Sequence, residues 1–215
     1  IDKIEGLERI RFMTPHPKDI EKETLEVIRD SKKICNHIHF PLQSGSSRLL
    51  KLMNRKYTKE HYLEQVEMIR RILPDVSITT DIIVGFPNET DEDFQKTLDI
   101  VNYCKFDGAY TFIFSPREGT AAARMKDDIS LKVKEERLKK LNELVNNYSL
   151  ESNKRLLGQS VPVLIQGVNE KDNNKVYGYT ETMKLVNVAG SKDLIGQIVN
   201  VKINDAKSFS LDGEV

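Results

Sequence analysis

Up to about residue 115 the chain alternates between two hydrophobic periods. Segments 8–13 (ERIRFM), 37–42 (HIHFPL), 77–84 (SITTDIIV) and 109–114 (AYTFIF) are short, rich in β-branched and aromatic residues, and predict strands. Between them, apolar residues recur every three to four positions: Leu25 and Ile28 within 19–31, Tyr62, Leu63, Val66, Ile69 and Leu73 within 59–73, and Phe94, Leu98 and Val101 within 91–104. Thr90, with Asp93 three residues on, is a helix N-cap followed by an acid in the first turn. Strands alternating with helices of this length imply parallel βαβ units. Four such units are too few to close an eight-stranded barrel, so an open or partial barrel is expected.

Residues 131–156 predict one long charged helix, striped by Val133, Leu138, Leu141, Leu144, Val145 and Tyr148, with Gly158 as its stop. Beyond it the period drops to two. SVPVLIQGV, KVYGYTET, KLVNVAG and IGQIVNVKI alternate, separated by Gly, Asn and Asp. They predict a small antiparallel β-domain, whose short strands closing into a barrel fit the oligonucleotide-binding type among others. The chain therefore divides into 1–156, α/β with a trailing helix, and 157–215, all β.

Composition narrows the function classes. Over 215 residues, 39% are hydrophobic and 31% charged, which excludes a disordered chain. No apolar run approaches the roughly 20 residues of a membrane helix. Cys35 and Cys104 lack CxxC spacing, which fits a reducing cytoplasm and argues against a zinc or disulfide framework. The formal net charge is zero, so a nucleic-acid partner must be held by local patches. The missing initiator Met and the early strand-like run suggest a piece of a longer protein.

Candidate chemistry gathers where strands end, because ligands on βα scaffolds bind at the carboxyl ends of strands. Those ends read Thr14-Pro15-His16-Pro17, Pro41-Leu42-Gln43-Ser44-Gly45-Ser46-Ser47, Asp81 running into Gly85-Phe86-Pro87-Asn88-Glu89-Thr90, and Ser115-Pro116-Arg117-Glu118-Gly119-Thr120. Together they predict one shared binding rim, with His16 as a further polar candidate. His37 and His39 share a strand face, but with no third ligand nearby they read as packed and hydrogen-bonded residues rather than metal ligands. No metal site is expected.

In combination these stretches resemble the tRNA methylthiotransferases of the radical S-adenosylmethionine (SAM) superfamily. The resemblance rests on RIRFMTPHPKD (9–19), HFPLQSGSSRLLKLMNRKYT (39–58), TTDIIVGFPNETDEDF (79–94), FDGAYTFIFSPREGT (106–120) and the terminal β-region, which is similar to a TRAM domain. It implies part of a radical-SAM partial (β/α)6 barrel followed by a small all-β TRAM (OB-like) barrel. It implies that Gln43 and Asp81, with Ser44 beside them, bind the SAM ribose, that Arg55 meets the methionyl carboxylate, and that Ile83 and Phe112 flank the adenine. A carboxylate suits two hydroxyl donors, and the planar, always-charged fork of Arg55 suits a carboxylate. Gly85 is expected to clear space for a cofactor and Pro87 to end the strand.

The implied reaction is methylthiolation at C2 of N6-isopentenyl-adenosine 37 in tRNA. SAM and two [4Fe-4S] clusters are the implied cofactors, and the tRNA anticodon stem-loop and an electron donor the implied partners. Sister branches act on threonylcarbamoyl-adenosine or on a ribosomal-protein aspartate, and a non-catalytic RNA-binding remnant is the remaining alternative. The cysteine loop that carries the family's SAM-cleaving cluster has no counterpart here, so no catalytic residue is assigned and the piece is expected to be inactive alone. Asn88 stands where the family usually has a second Gly, and its tolerance of left-handed geometry preserves the turn. Residues 157–215 hold six lysines against seven carboxylates. RNA contacts are accordingly expected from local groups: Lys184, Lys202 and Lys207 for phosphates, Tyr177 and Tyr179 for bases, with Phe209 either stacking or core.

Overall fold

The computed structural model describes all residues except Met13, Thr14, Pro15 and Lys18; the end of the first strand-like run and part of its rim lie outside the described residues. Chain order is α1 (Lys22–Asp30), β1 (His37–His39), α2 (Ser47–Leu52), α3 (Lys59–Ile72), β2 (Ser77–Val84), α4 (Asp91–Cys104), β3 (Gly108–Ile113), α5 (Leu131–Lys154), then β4 (Ser160–Val168), β5 (Lys175–Tyr179), β6 (Leu185–Ala189), β7 (Ile198–Ala206) and β8 (Leu211–Glu214). Strands β1, β2 and β3 form a parallel sheet in that order. The other five close into a barrel in the order β4-β5-β6-β8-β7.

Alternation along β2 sets the two faces of the sheet. Ile78, Thr80, Ile82 and Val84 are buried beneath the helices in a core that includes Phe40, Tyr62, Ile69, Val101 and Leu141. Thr79, Asp81 and Ile83 therefore point to the opposite, concave face, in register with Gly108, Tyr110 and Phe112 of β3. The Thr90 N-cap is a full capping box with Asp93.

Three expectations need correction. Residues 8–12 form no strand: Ile10 makes a single parallel bridge to Ile34, because its partner segment is itself a loop and the ladder ends after one residue. Strand β1 stops at His39, before Pro41, which has no N–H for the ladder. Pairing resumes as one bridge, Gln43 to Ile82. The terminal barrel is not wholly antiparallel, since β6 pairs with β8 in parallel. Strand β8 escaped the sequence reading because LDGE offers one apolar residue, Leu211, which is fully buried.

The barrel is pinned to the α/β part by polar contacts. The ammonium of Lys184 lies 2.7 Å from Ser152 Oγ, 2.9 Å from Asn153 Oδ1 and 3.4 Å from Asp107 Oδ1. Asn153 donates to the carbonyl of Lys207 at 2.7 Å, and Arg9 donates to the carbonyl of Tyr179 at 2.7 Å.

Candidate functional site

A cavity of about 770 Å³ opens where the strands end. Gln43, Arg55, Asp81, Ile83 and Phe112 all line it, so five of the six residues expected at a cofactor site converge on one space. Gln43 reaches the wall through a left-handed backbone, φ 65°, which is strained for any residue with a Cβ. Its N–H donates to the Asp81 carbonyl at 2.8 Å and its carbonyl accepts from the Ile83 N–H at 2.9 Å, so it sits beside β2.

Ser44 departs from the expectation. It is fully buried, is not part of the cavity wall, and its Oγ accepts the Ser46 N–H at 3.2 Å. The loop itself is locked onto α4. Ser46 Oγ donates to Asp93 at 2.6 Å, and the Gly45 N–H donates to Thr97 Oγ1 at 2.9 Å. A Cβ on Gly45 would stand 2.4 Å from the Lys96 carbonyl oxygen, so only glycine allows this approach.

Asp81 is partly open to solvent, and its Oδ1 lies 3.3 Å from His39 Nε2. His39 Nδ1 and His37 Nε2 both meet Thr79 Oγ1, at 3.0 and 2.9 Å. Burial, with His39 as the next cause, pushes the His37 pKa down to about 4, so this ring is neutral at pH 7. His16 packs edge-on to Tyr57, with ring centroids 5.6 Å apart, and lies 4.0 Å from Asp19.

The turn after β2 is braced from behind. The Glu89 carboxylate accepts the Gly85 N–H at 2.7 Å and meets Arg137 Nη1 at 2.8 Å, while Arg137 Nη2 reaches Asp91 at 2.6 Å. Burial raises the Glu89 carboxyl, with the Gly85 amide and Arg137 pulling against it. Gly85 (φ 69°) and Asn88 (φ 67°) both take left-handed geometry, as the turn requires. The expected reason for Gly85 is corrected, however. A Cβ there would meet Lys134 Cγ at 2.5 Å, so the missing side chain makes room for α5 rather than for a ligand.

The wall also holds Phe86, Arg117 and Thr120 of the predicted rim, together with Asn54 and Phe114, which the sequence did not mark as site residues. Asn54 carried a usable signal, as a left-handed residue (φ 58°) closing α2 just before Arg55. Cys35 and Cys104 are buried, with both thiols raised chiefly by burial, Cys104 to about 12. Two isolated, inert thiols do not fit the ligand set of an iron–sulfur cluster. The cavity does fit a nucleoside carrying a carboxylate, since a fixed acid, an amide and a guanidinium line one apolar-walled space.

Of the expected RNA contacts, Lys184 is held in the inter-domain clamp, with its pKa lowered by burial, and is not presented to a phosphate. Lys202 is exposed. Lys207 is exposed but pairs with Asp205 and Asp212. Tyr177 and Tyr179 stand edge-on with centroids 6.4 Å apart, both half-buried. Phe209 is 75% exposed and so is not core.

A parallel sheet with its cavity at the strand ends, joined to a closed five-stranded barrel, defines an α/β unit carrying a small β module. Residues 1–101 match the radical SAM superfamily, and residues 154–215 match the TRAM domain. The chain is 54% identical over 215 residues to the tRNA-2-methylthio-N(6)-dimethylallyladenosine synthase of Thermoanaerobacter pseudethanolicus, and 52% identical to that of Alkaliphilus oremlandii. Each alignment covers 100% of this chain and 46% of the relative, so the chain spans about half the length of these proteins. The synthase of Bacillus licheniformis is 54% identical over 96% of the chain and 41% of its own length. Among solved structures, coproporphyrinogen III oxidase of Escherichia coli, described as a radical SAM enzyme, superposes with a TM-score of 0.55 at 20% identity, covering 80% of this chain and 46% of that one. Methylornithine synthase gives 0.51 at 16% identity over 66% of this chain and 39% of that one. These two likenesses show the fold alone. Among the described residues no helix is long and apolar enough to cross a membrane.

Proposed function

We propose that this chain supplies the SAM nucleoside site and the RNA-binding module of a tRNA methylthiotransferase acting at C2 of N6-isopentenyl-adenosine 37. The observation that carries this reading is the convergence of Gln43, Arg55 and Asp81 on one cavity. The division of labour follows the sequence, with residues 1–156 holding the cofactor and 157–215 meeting the tRNA anticodon stem-loop in the cytoplasm.

Bound SAM would supply the methyl group and, on one-electron reduction by a donor outside this chain, the radical that activates C2. The residues of this chain bind and orient. Asp81 accepts the ribose hydroxyls, held on a strand so that its geometry is fixed before binding. Gln43 adds a second polar contact from the adjoining loop. Arg55 pairs with the methionyl carboxylate. Ile83 and Phe112 provide apolar walls that exclude water from the nucleoside.

Calorimetric titration of the full chain with SAM, and separately with an isopentenylated anticodon stem-loop, tests the reading. Saturable binding of both is expected, with SAM affinity lost in Asp81→Asn. A stem-loop carrying threonylcarbamoyl-adenosine bound in clear preference would move the assignment to the sister branch. Binding of RNA without SAM would leave an RNA-binding module alone.

A further inference from the structure

The concave face of the sheet carries an aromatic side chain that neither the cofactor cavity nor the core uses. Tyr110 lies on β3 directly opposite Asp81, and it is 64% exposed. A tyrosine left this exposed on the face of the edge strand β3 gains little from burial, so packing does not explain its place. Its ring is oriented from one side, edge-on to His39 with centroids 5.9 Å apart. His39 in turn is held by Thr79 and faces Asp81.

Two residues along the strand, Phe112 lines the cavity with 51% of its surface exposed. In the other direction the face runs to the TRAM barrel, where the Arg11 guanidinium sits 5.5 Å above the Tyr179 ring. Three aromatic rings, Tyr179 with one cation over it, Tyr110 and Phe112, thus lie on the β module, on β3 and at the mouth of the cavity. That is the chemistry that receives unpaired nucleotides, because every base has a π-face and its phosphate a charge. A folded protein partner would instead need a broad apolar patch with a polar rim.

We infer that Tyr110 is the stacking platform for the unpaired target base of the RNA, placing it beside Asp81 and Phe112 at the open side of the cavity. The inference rests on the proposed function and adds the residue that positions the substrate. Base stacking on a single ring is sequence-tolerant, so Tyr110 sets position, while selectivity for the modified adenosine comes from other contacts.

The test is a binding cycle on the full chain. Its probes are an anticodon stem-loop bearing the target adenosine and the same stem-loop with an abasic site at that position. Tyr110→Leu should weaken binding of the intact loop by about tenfold, while Tyr110→Phe, which keeps the ring, stays within about twofold. The abasic loop should bind the parent and Tyr110→Leu equally, and SAM affinity should not change in either variant. Equal affinity of the parent and Tyr110→Leu for the intact loop overturns the inference and leaves the proposed function standing. So does an equal loss on both loops, which would place the contact away from the target base. A parent chain that binds SAM but neither loop overturns the RNA reading and this inference together.

Discussion

Arg137 of α5 reaches across to Glu89 in the turn after β2, Nη1 to Oε2 at 2.8 Å, with both side chains buried. The same carboxylate caps the Gly85 N–H, so the pair ties the rim of the cavity to a helix that begins more than 40 residues later in the chain. Removing one member strands a charge. Arg137→Met should cost about 3–5 kcal/mol of stability in urea unfolding. Adding Glu89→Gln to that variant should recover part of the loss, because the stranded group is then neutral. A simple sum of the two single losses would show that the residues act independently.

Asp93 gives the fold an acid-sensitive joint between α2 and α4. Burial acts to raise its carboxyl, but hydrogen bonds from Arg48, Ser46 and Thr90 outweigh it and hold the group well below the usual carboxylate range. The folded value lies under the unfolded 3.8, so the stabilisation is complete above about pH 4 and drains away as pH falls further. Asp93→Asn should be less stable at neutral pH and show a shallower loss between about pH 4 and pH 2, followed by circular dichroism.

Gly45 is the position where α4 comes closest to the Gln43 loop. Gly45→Ala places a methyl group against the Lys96 backbone, which cannot rotate away. A destabilisation of about 1–3 kcal/mol is expected, together with weaker SAM binding, because Gln43 moves with the loop. Loss of stability with unchanged SAM affinity would separate the loop from the site.

Arg55→Ala should weaken SAM binding by roughly 1.5–3 kcal/mol, the range for a hydrogen bond to a charged partner, without affecting stem-loop affinity. Arg55→Lys should recover only part of it, since a point charge replaces a planar fork. Unchanged SAM affinity in Arg55→Ala would remove this residue from the site.

Lys184 belongs to the joint between the two parts of the chain. Lys184→Ala should lower stability by about 2–3 kcal/mol, because Asp107 and Asn153 lose an ammonium partner in a largely buried setting. Hydrogen exchange should rise at β6 and at the end of α5 together. The same contacts imply that deleting 158–215 strands Asp107 and Asn153, so SAM binding is expected to fall along with RNA binding. Retention of full SAM affinity after the deletion would show that the α/β part stands alone.

What the sequence determined by itself was local and periodic. Strand β2 and helix α4 occupy the residues their apolar periods and the Thr90 cap predict, because those signals are carried by contiguous residues. The left-handed turn at Asn88 was legible for the same reason. The family motifs placed Gln43, Arg55, Asp81, Ile83 and Phe112 on one list before any of them could be seen to meet. Tertiary structure decided the rest, because it depends on neighbours distant in sequence. Gly85 is small for the sake of Lys134, and Ser44 faces inward to its own loop. Lys184 turns from a surface cation into a buried clamp because Asp107 and Asn153 arrive from elsewhere in the chain. Strand β8 exists because the barrel needs a closing edge, although four largely polar residues announce almost nothing alone. Tyr110 reads in sequence as one more strand aromatic, and only the alternation of faces across β1, β2 and β3 turns it toward the open side of the site.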